Sequence, residues 1–226
     1  PDGDRIIAPR HTQNLGERPE SLVMIGGGVT GVEYSSVFAR MGTEVTIVTD
    51  IDRILPPFDG EYAVRLQEKL GELGVNLELN QPVRSVSATP DGVVTQTKSG
   101  REFRSQYAFI ATGRLGDLTF LSDKGPQLNH AGGFLTVDQH GRTNLPHVYG
   151  CGDVTGTPLT ANKALLQART VVKSIFEEDS PSHNGHSIST IQAVYTHPEL
   201  AQIGPVLDLN GAPETEVVRR QFDRSM

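Results

Sequence analysis

Three glycines and one carboxylate carry the chemistry most legible in this chain. Gly26, Gly28 and Gly31 stand in the spacing G-x-G-x-x-G, with Gly27, Val29 and Thr30 between them, and Asp50 follows at the end of the next apolar run. Glycines so spaced do different things. Gly26 permits a tight turn, Gly28 lets backbone come against a pyrophosphate, and Gly31 lets a helix pack closely on a strand. The pyrophosphate then rests on the helix N-terminus, where unpaired N–H groups and the positive dipole end favour an anion. A carboxylate about twenty residues past the glycines is placed to accept hydrogen bonds from a ribose 2′-hydroxyl. The chemistry expected is therefore binding of a dinucleotide. The acid favours NAD, because it repels the 2′-phosphate of NADP. NADP stays open, since Thr49 occupies the usual acidic position, Asp50 stands one place beyond it, and Arg53 is close by.

A glycine cluster alone also marks ordinary βαβ turns, so the flanking elements decide. Leu22 to Ile25 is a short apolar run suited to a buried parallel strand. Val32, Val37, Phe38 and Met41 recur at helical spacing, Gly42 stops that helix, and Glu44 to Val48 is a second β-branched strand. Strand, glycine turn, helix, strand and terminal acid in one stretch from Ser21 to Asp50 is the context the motif requires.

Beyond this unit, Asp52 to Tyr62 reads as a proline-broken loop, followed by an amphipathic helix from Glu61 to Leu73 that offers Val64, Leu66, Leu70 and Leu73 to the core and closes at Gly74. Val75 to Leu79 is a third parallel strand. Val83 to Ala88 and Val93 to Thr97, joined at Pro90, Asp91 and Gly92, predict an inserted β-hairpin. Tyr107 to Ala111 is the last strand, ending in Thr112 and Gly113. Residues 1–20, polar and aperiodic, read as a linker into a nucleotide domain spanning 21–112. Val148 to Cys151 is a further short apolar strand before Gly152 and Asp153, Thr160 to Phe176 a helix, and Ile191 to Tyr195 a strand. The chain reads as beginning and ending inside a longer protein.

Composition narrows the functional classes. A formal net charge of −7, with basic residues scattered along the chain, argues against nucleic acid. No apolar run has the length of a membrane helix and no leader pattern is visible, so a membrane is not an expected partner. A single cysteine rules out an internal disulfide framework, and the expected location is cytoplasmic. Cys151, within an apolar run, is expected to be a buried structural thiol. His183 and His186 lie in a polar stretch without further ligands, so no metal is expected.

Five stretches resemble the two-dinucleotide flavoprotein family of pyridine nucleotide-disulfide oxidoreductases: GGGVTGVEYSSVFARMG, DRILPPFD, ATGR at Ala111 to Arg114, HVYGCGDVTG at His147 to Gly156, and YTHPELAQIG at Tyr195 to Gly204. Their order matches the second half of such proteins. The fold implied is α/β: a Rossmann-like NAD(P) domain with a parallel sheet and the inserted hairpin, part of an FAD-contacting domain over 113–180, and the start of an α+β dimerisation domain over 181–226. The cofactors implied are FAD and NAD, with NADP possible, and the intact protein is implied to be a homodimer.

The same resemblance places Glu33 near the nicotinamide and flavin rings, and Gly152 and Asp153 at the FAD ribityl chain. It also points the helix opening at Thr160 and Ala161 towards the flavin pyrimidine edge. No catalytic acid or base is identified. Gln167 with Arg169, and GRLGD without a following Pro-Asn, resemble the soluble transhydrogenase members, with the dihydrolipoamide dehydrogenases as the alternative. The implied activity is hydride transfer between NAD(P)H and FAD. A nucleotide-binding module without catalysis stays open, because the chain carries neither an FAD phosphate-binding motif nor a redox cysteine pair.

Overall fold

Along Leu22–Ile25 every side chain is buried, and alternate residues enter different cores. Leu22 and Met24 join one apolar cluster, while Val23 and Ile25 join another. A strand covered on both faces needs apolar residues throughout, which is why this run lacks the polar alternation of a half-exposed strand. The computed structural model describes residues 1–119, 121, 125, 127–176 and 191–203.

The elements run β1 (Ile6–Ile7), β2 (Ser21–Ile25), α1 (Val29–Arg40), β3 (Glu44–Val48), α2 (Gly60–Glu72), β4 (Asn76–Glu78), β5 (Val83–Thr89), β6 (Gly92–Thr97), β7 (Glu102–Ser105) and β8 (Tyr107–Ile110). After them come β9 (His130–Ala131), β10 (Phe134–Leu135), α3 (Ala161–Phe176), β11 (Ile191–Val194) and β12 (Leu200–Ile203). The five-stranded sheet has the order β1-β8-β2-β3-β4, and every neighbouring pair is parallel. On one face α1 and α2 pack through Val32, Phe38, Ala63, Leu66 and Leu70. Tyr34 and Phe38 of α1 meet Phe109 of β8 with ring centroids 4.7 and 6.4 Å away. On the other face the antiparallel sheet β5-β6-β7 presses Val83, Val86, Val93 and Phe103 onto Val23, Ile25 and Ala108. The result is the expected α/β architecture, in three layers.

Several expectations need correction. Residues 1–20 are not merely a linker: β1 pairs in parallel with β8, Ile6 opposite Ala108 and Ile7 opposite Phe109, and Ile7 is buried. Two residues show no period, so only the tertiary pairing reveals the strand. The inserted hairpin is a three-stranded sheet, because β7 adds antiparallel to β6. Its Glu102–Ser105 sequence alternates charged and less polar residues in one short run and gave no signal.

In α1, Val37 and Met41 are half exposed, since the buried stripe runs through Val32, Ser35, Ser36 and Phe38. Val64 of α2 is likewise exposed, and Ala63 takes the core position. Val148 to Cys151 forms no strand. Tyr149 makes only an isolated antiparallel bridge with Arg142, and no further strand among the described residues lies beside it. Cys151 is consequently exposed, not buried.

Candidate functional site

The glycine turn sits where β2 ends and α1 begins. Gly26, at φ +112°, donates its N–H to the Val48 carbonyl at 2.9 Å, tying the turn to the end of β3. A Cβ there would run into the Ala111 carbonyl, and one at Gly31 would run into the Gly26 carbonyl. Gly27 is buried, with a virtual Cβ 3.3 Å from the Thr49 side chain, and its carbonyl accepts from Leu55 N–H at 2.8 Å. Gly26 and Gly31 are required by the protein's own packing, and Gly27 is closely packed. Gly28 differs: it caps α1 at φ −76°, and nothing lies within 4 Å of where its Cβ would be. Because the first turn of a helix has no earlier carbonyl to bond, the N–H groups around Val29 and Thr30 are available to an anion.

That space is a cleft of about 1050 Å³. It brings together Gly26, Gly28, Val29, Thr30, Glu33, Thr49, Asp50, Thr112, Gly113 and Ala161, all singled out from sequence. Gly27 and Gly31 lie behind it, supporting the turn. Gly152 and Asp153 are not part of its lining.

At one end, Gln81 N–H donates to Thr49 O at 2.8 Å and Asn80 N–H to Ile51 O at 3.0 Å, so the chain leaving β4 runs beside the residues that follow β3. Asp50 is exposed there, whereas Thr49 is 4% exposed and packs on Gly27. Arg53 is turned away: its guanidinium donates to the carbonyls of Leu55 at 3.3 Å, Pro56 at 3.0 Å and Phe58 at 2.9 Å. At the other end, Glu33 Oε1 accepts from Tyr195 N–H at 2.9 Å, joining α1 to the segment after β11. Thr160, Ala161 and Asn162, the opening of α3, line the cleft beside Tyr195.

Asp153 opens a short 3₁₀ turn after Gly152, which has φ +80°. Gln167 of α3 holds this turn, its Oε1 accepting from Gly152 N–H at 2.8 Å and Thr155 Oγ1 at 3.0 Å. The buried Lys163 donates from below to the Gly156 carbonyl and to Thr155 Oγ1. Burial lowers its amine below the ordinary lysine value, partly offset by the charge of Asp153.

Sequence reasoning missed Gln81, Lys98 and Tyr195 as lining residues. Each is brought in by an element distant from the glycine motif, and no local pattern marks them. Among the described residues no group of three or more His, Cys, Asp or Glu could hold a metal ion, and no helix is long and apolar enough to cross a membrane. His183 and His186 lie outside the described residues.

Residues 2–168 match the family described as pyridine nucleotide-disulphide oxidoreductase. A dihydrolipoyl dehydrogenase of Bacillus subtilis is 34% identical over 206 residues, which is 90% of this chain and 44% of the relative. A soluble pyridine nucleotide transhydrogenase of Chromohalobacter salexigens is 33% identical over 202 residues, 89% of this chain and 42% of the relative. Among solved structures, LpdA from Mycobacterium tuberculosis superposes with a TM-score of 0.82 at 32% identity, over 91% of this chain and 45% of that one. The chain thus spans less than half the length of the relatives it matches.

Proposed function

The chain belongs to the pyridine nucleotide-disulphide oxidoreductase family, and we propose that its cleft binds the nicotinamide dinucleotide of a flavoprotein in which hydride passes between NAD(P)H and FAD. The observation that carries this reading is the open space at Gly28, beside the start of α1 and with Asp50 exposed in the same cleft. Gly26 and Gly31 are held by protein packing, whereas Gly28 leaves room for a ligand in the cleft.

In this reading the first-turn N–H groups at Val29 and Thr30 hold the pyrophosphate, and Asp50 accepts from the adenosine ribose. Thr112 and Gly113 line the wall beyond β8. Glu33, fixed by Tyr195 N–H, stands at the end where α3 begins, so the nicotinamide lies between them. Ala161 then offers the positive end of α3 to a flavin, and Asp153 accepts hydrogen bonds from its ribityl hydroxyls. When bound, the flavin supplies N5 as the hydride partner, and the protein's task is to stack the two rings and exclude water. Residues 113–180 contribute to FAD contact and 181–226 to an interface between subunits of a cytoplasmic homodimer. Leu165, Val172, Ile175 and Phe176 of α3 are exposed, and this apolar surface supports further contacts of α3 in the intact protein.

Within the family we favour the soluble transhydrogenase, which returns hydride to a second nicotinamide nucleotide. The support is Gln167, a neutral amide whose oxygen clamps Gly152, together with Arg169 and the GRLGD segment. Dihydrolipoamide dehydrogenase is the second reading, since one such enzyme is 34% identical to this chain, about as similar as the transhydrogenase at 33%. Anaerobic mixing of the full-length protein with NADH or NADPH tests the function: the visible flavin absorbance should bleach. Reoxidation by a second nicotinamide nucleotide, and not by a lipoamide disulfide, is expected of the transhydrogenase. Absence of bleaching and of nucleotide binding would overturn the reading of the cleft.

A further inference from the structure

We propose that Lys98 is a specificity-determining residue of the cleft, supplying the countercharge to a 2′-phosphate beside Asp50 so that one site accepts NADP(H) as well as NAD(H). This rests on the reading of the cleft as a nicotinamide nucleotide site.

Placement comes from the backbone. Gln81 N–H donates to Thr49 O at 2.8 Å, and Lys98 N–H donates to Pro82 O at 2.8 Å. Two hydrogen-bonded steps therefore carry the chain from the residue before Asp50 to Lys98, and Asp50, Gln81, Val83 and Lys98 line the same cleft. Gln81 is itself held, its Oε1 accepting from Ser99 Oγ at 3.1 Å. The end of β6 is thus a defined rim facing the ribose carboxylate.

Charge accounting singles out the same residue. Arg53, the cation nearest Asp50 in sequence, donates to three carbonyls of its own loop and presents no guanidinium to the ribose. Arg101 is engaged in a two-pronged pair with Glu78 at 2.5 and 2.8 Å. Lys98 is exposed and makes no ion pair among the described residues. Of the residues lining the cleft only Lys98 and Arg114 are cations, and Arg114 follows β8, which the sheet order sets across β2 from β3 and so away from Asp50.

Physical chemistry turns this into a selectivity device. A carboxylate alone accepts a ribose hydroxyl and repels a phosphate in the same place. An ammonium on a flexible four-carbon stem can close on a phosphate and swing into solvent when a hydroxyl is there instead. Asp50 and Lys98 in one cleft would therefore hold either nucleotide, a property required of a protein that moves hydride between the two.

Equilibrium titration of the full-length flavoprotein with NADH and NADPH decides the matter, the flavin being reduced with dithionite beforehand so that no hydride is taken up, and with 2′,5′-ADP and 5′-AMP as competing probes. In Lys98→Gln the dissociation constant for NADPH and for 2′,5′-ADP should rise about two- to fivefold, as for an exposed charge pair. NADH and 5′-AMP should be unchanged, Lys98→Glu should widen the gap, and Lys98→Arg should restore most of the affinity. Equal weakening of all four ligands, or no change in any, would overturn the role of Lys98, as would a parent protein that binds NADH but no NADPH. If the parent binds neither nucleotide, the reading of the cleft falls as well.

Discussion

Asp50 and Thr49 divide one task between neighbouring positions. Thr49 is buried against Gly27 and its carbonyl receives Gln81 N–H, so it shapes the end of β3. Asp50, one residue on, is exposed, lines the cleft and is the carboxylate proposed to meet the ribose. Asp50→Arg removes the acceptor and inverts the charge. A hydrogen bond to a charged group is worth about 1.5–3 kcal/mol, so NADH affinity should fall roughly ten- to a hundredfold. NADPH affinity should rise, and fluorescence titration of both nucleotides reads the reversal. Unchanged relative affinities would refute the ribose contact. Arg53 gives no such leverage, because its hydrogen bonds hold the 55–58 loop and not the ligand.

At the scale of the element, the turn before α1 separates packing from binding. Gly31 lies against the Gly26 carbonyl, so Gly31→Ala must push α1 away from β2. Overpacking of this kind costs about 1–3 kcal/mol, and the denaturation midpoint should fall accordingly. Gly28→Ala meets open space and has an ordinary backbone angle, so stability should be kept within about 0.5 kcal/mol. Nucleotide binding should nevertheless weaken, because the added methyl enters the place of the pyrophosphate. Urea melts and NADH titrations of the two variants test the separation. Equal loss of stability in both would mean that Gly28 is also a packing residue.

For the whole molecule, the described residues form the cleft proposed for the nicotinamide nucleotide, with the start of α1 in its lining, while the turn proposed to meet FAD exposes Asp153 and buries Gly152. The 226-residue chain purified alone should therefore be colourless and bind NAD(H) weakly. Stoichiometric yellow flavin in that sample would contradict this.

Read as residues alone, the chain already establishes the βαβ unit, its glycine turn, the acid after β3 and the third parallel strand. Glycine spacing and apolar runs are local signals, and steric needs at Gly26 and Gly31 leave few other residues possible. The amphipathic faces were legible only in part. Val37, Met41 and Val64 fit a helical period, yet the sheet covers the stripe through Val32, Phe38 and Ala63 instead. Tertiary structure alone decided where residues 1–20 go, because β1 is defined by its pairing with β8 and not by its own two residues. It also decided that Cys151 is exposed, that Arg53 is occupied, and that Gln81, Lys98 and Tyr195 reach the cleft. Those facts depend on hydrogen bonds and packing between segments far apart in the chain, which no local pattern encodes.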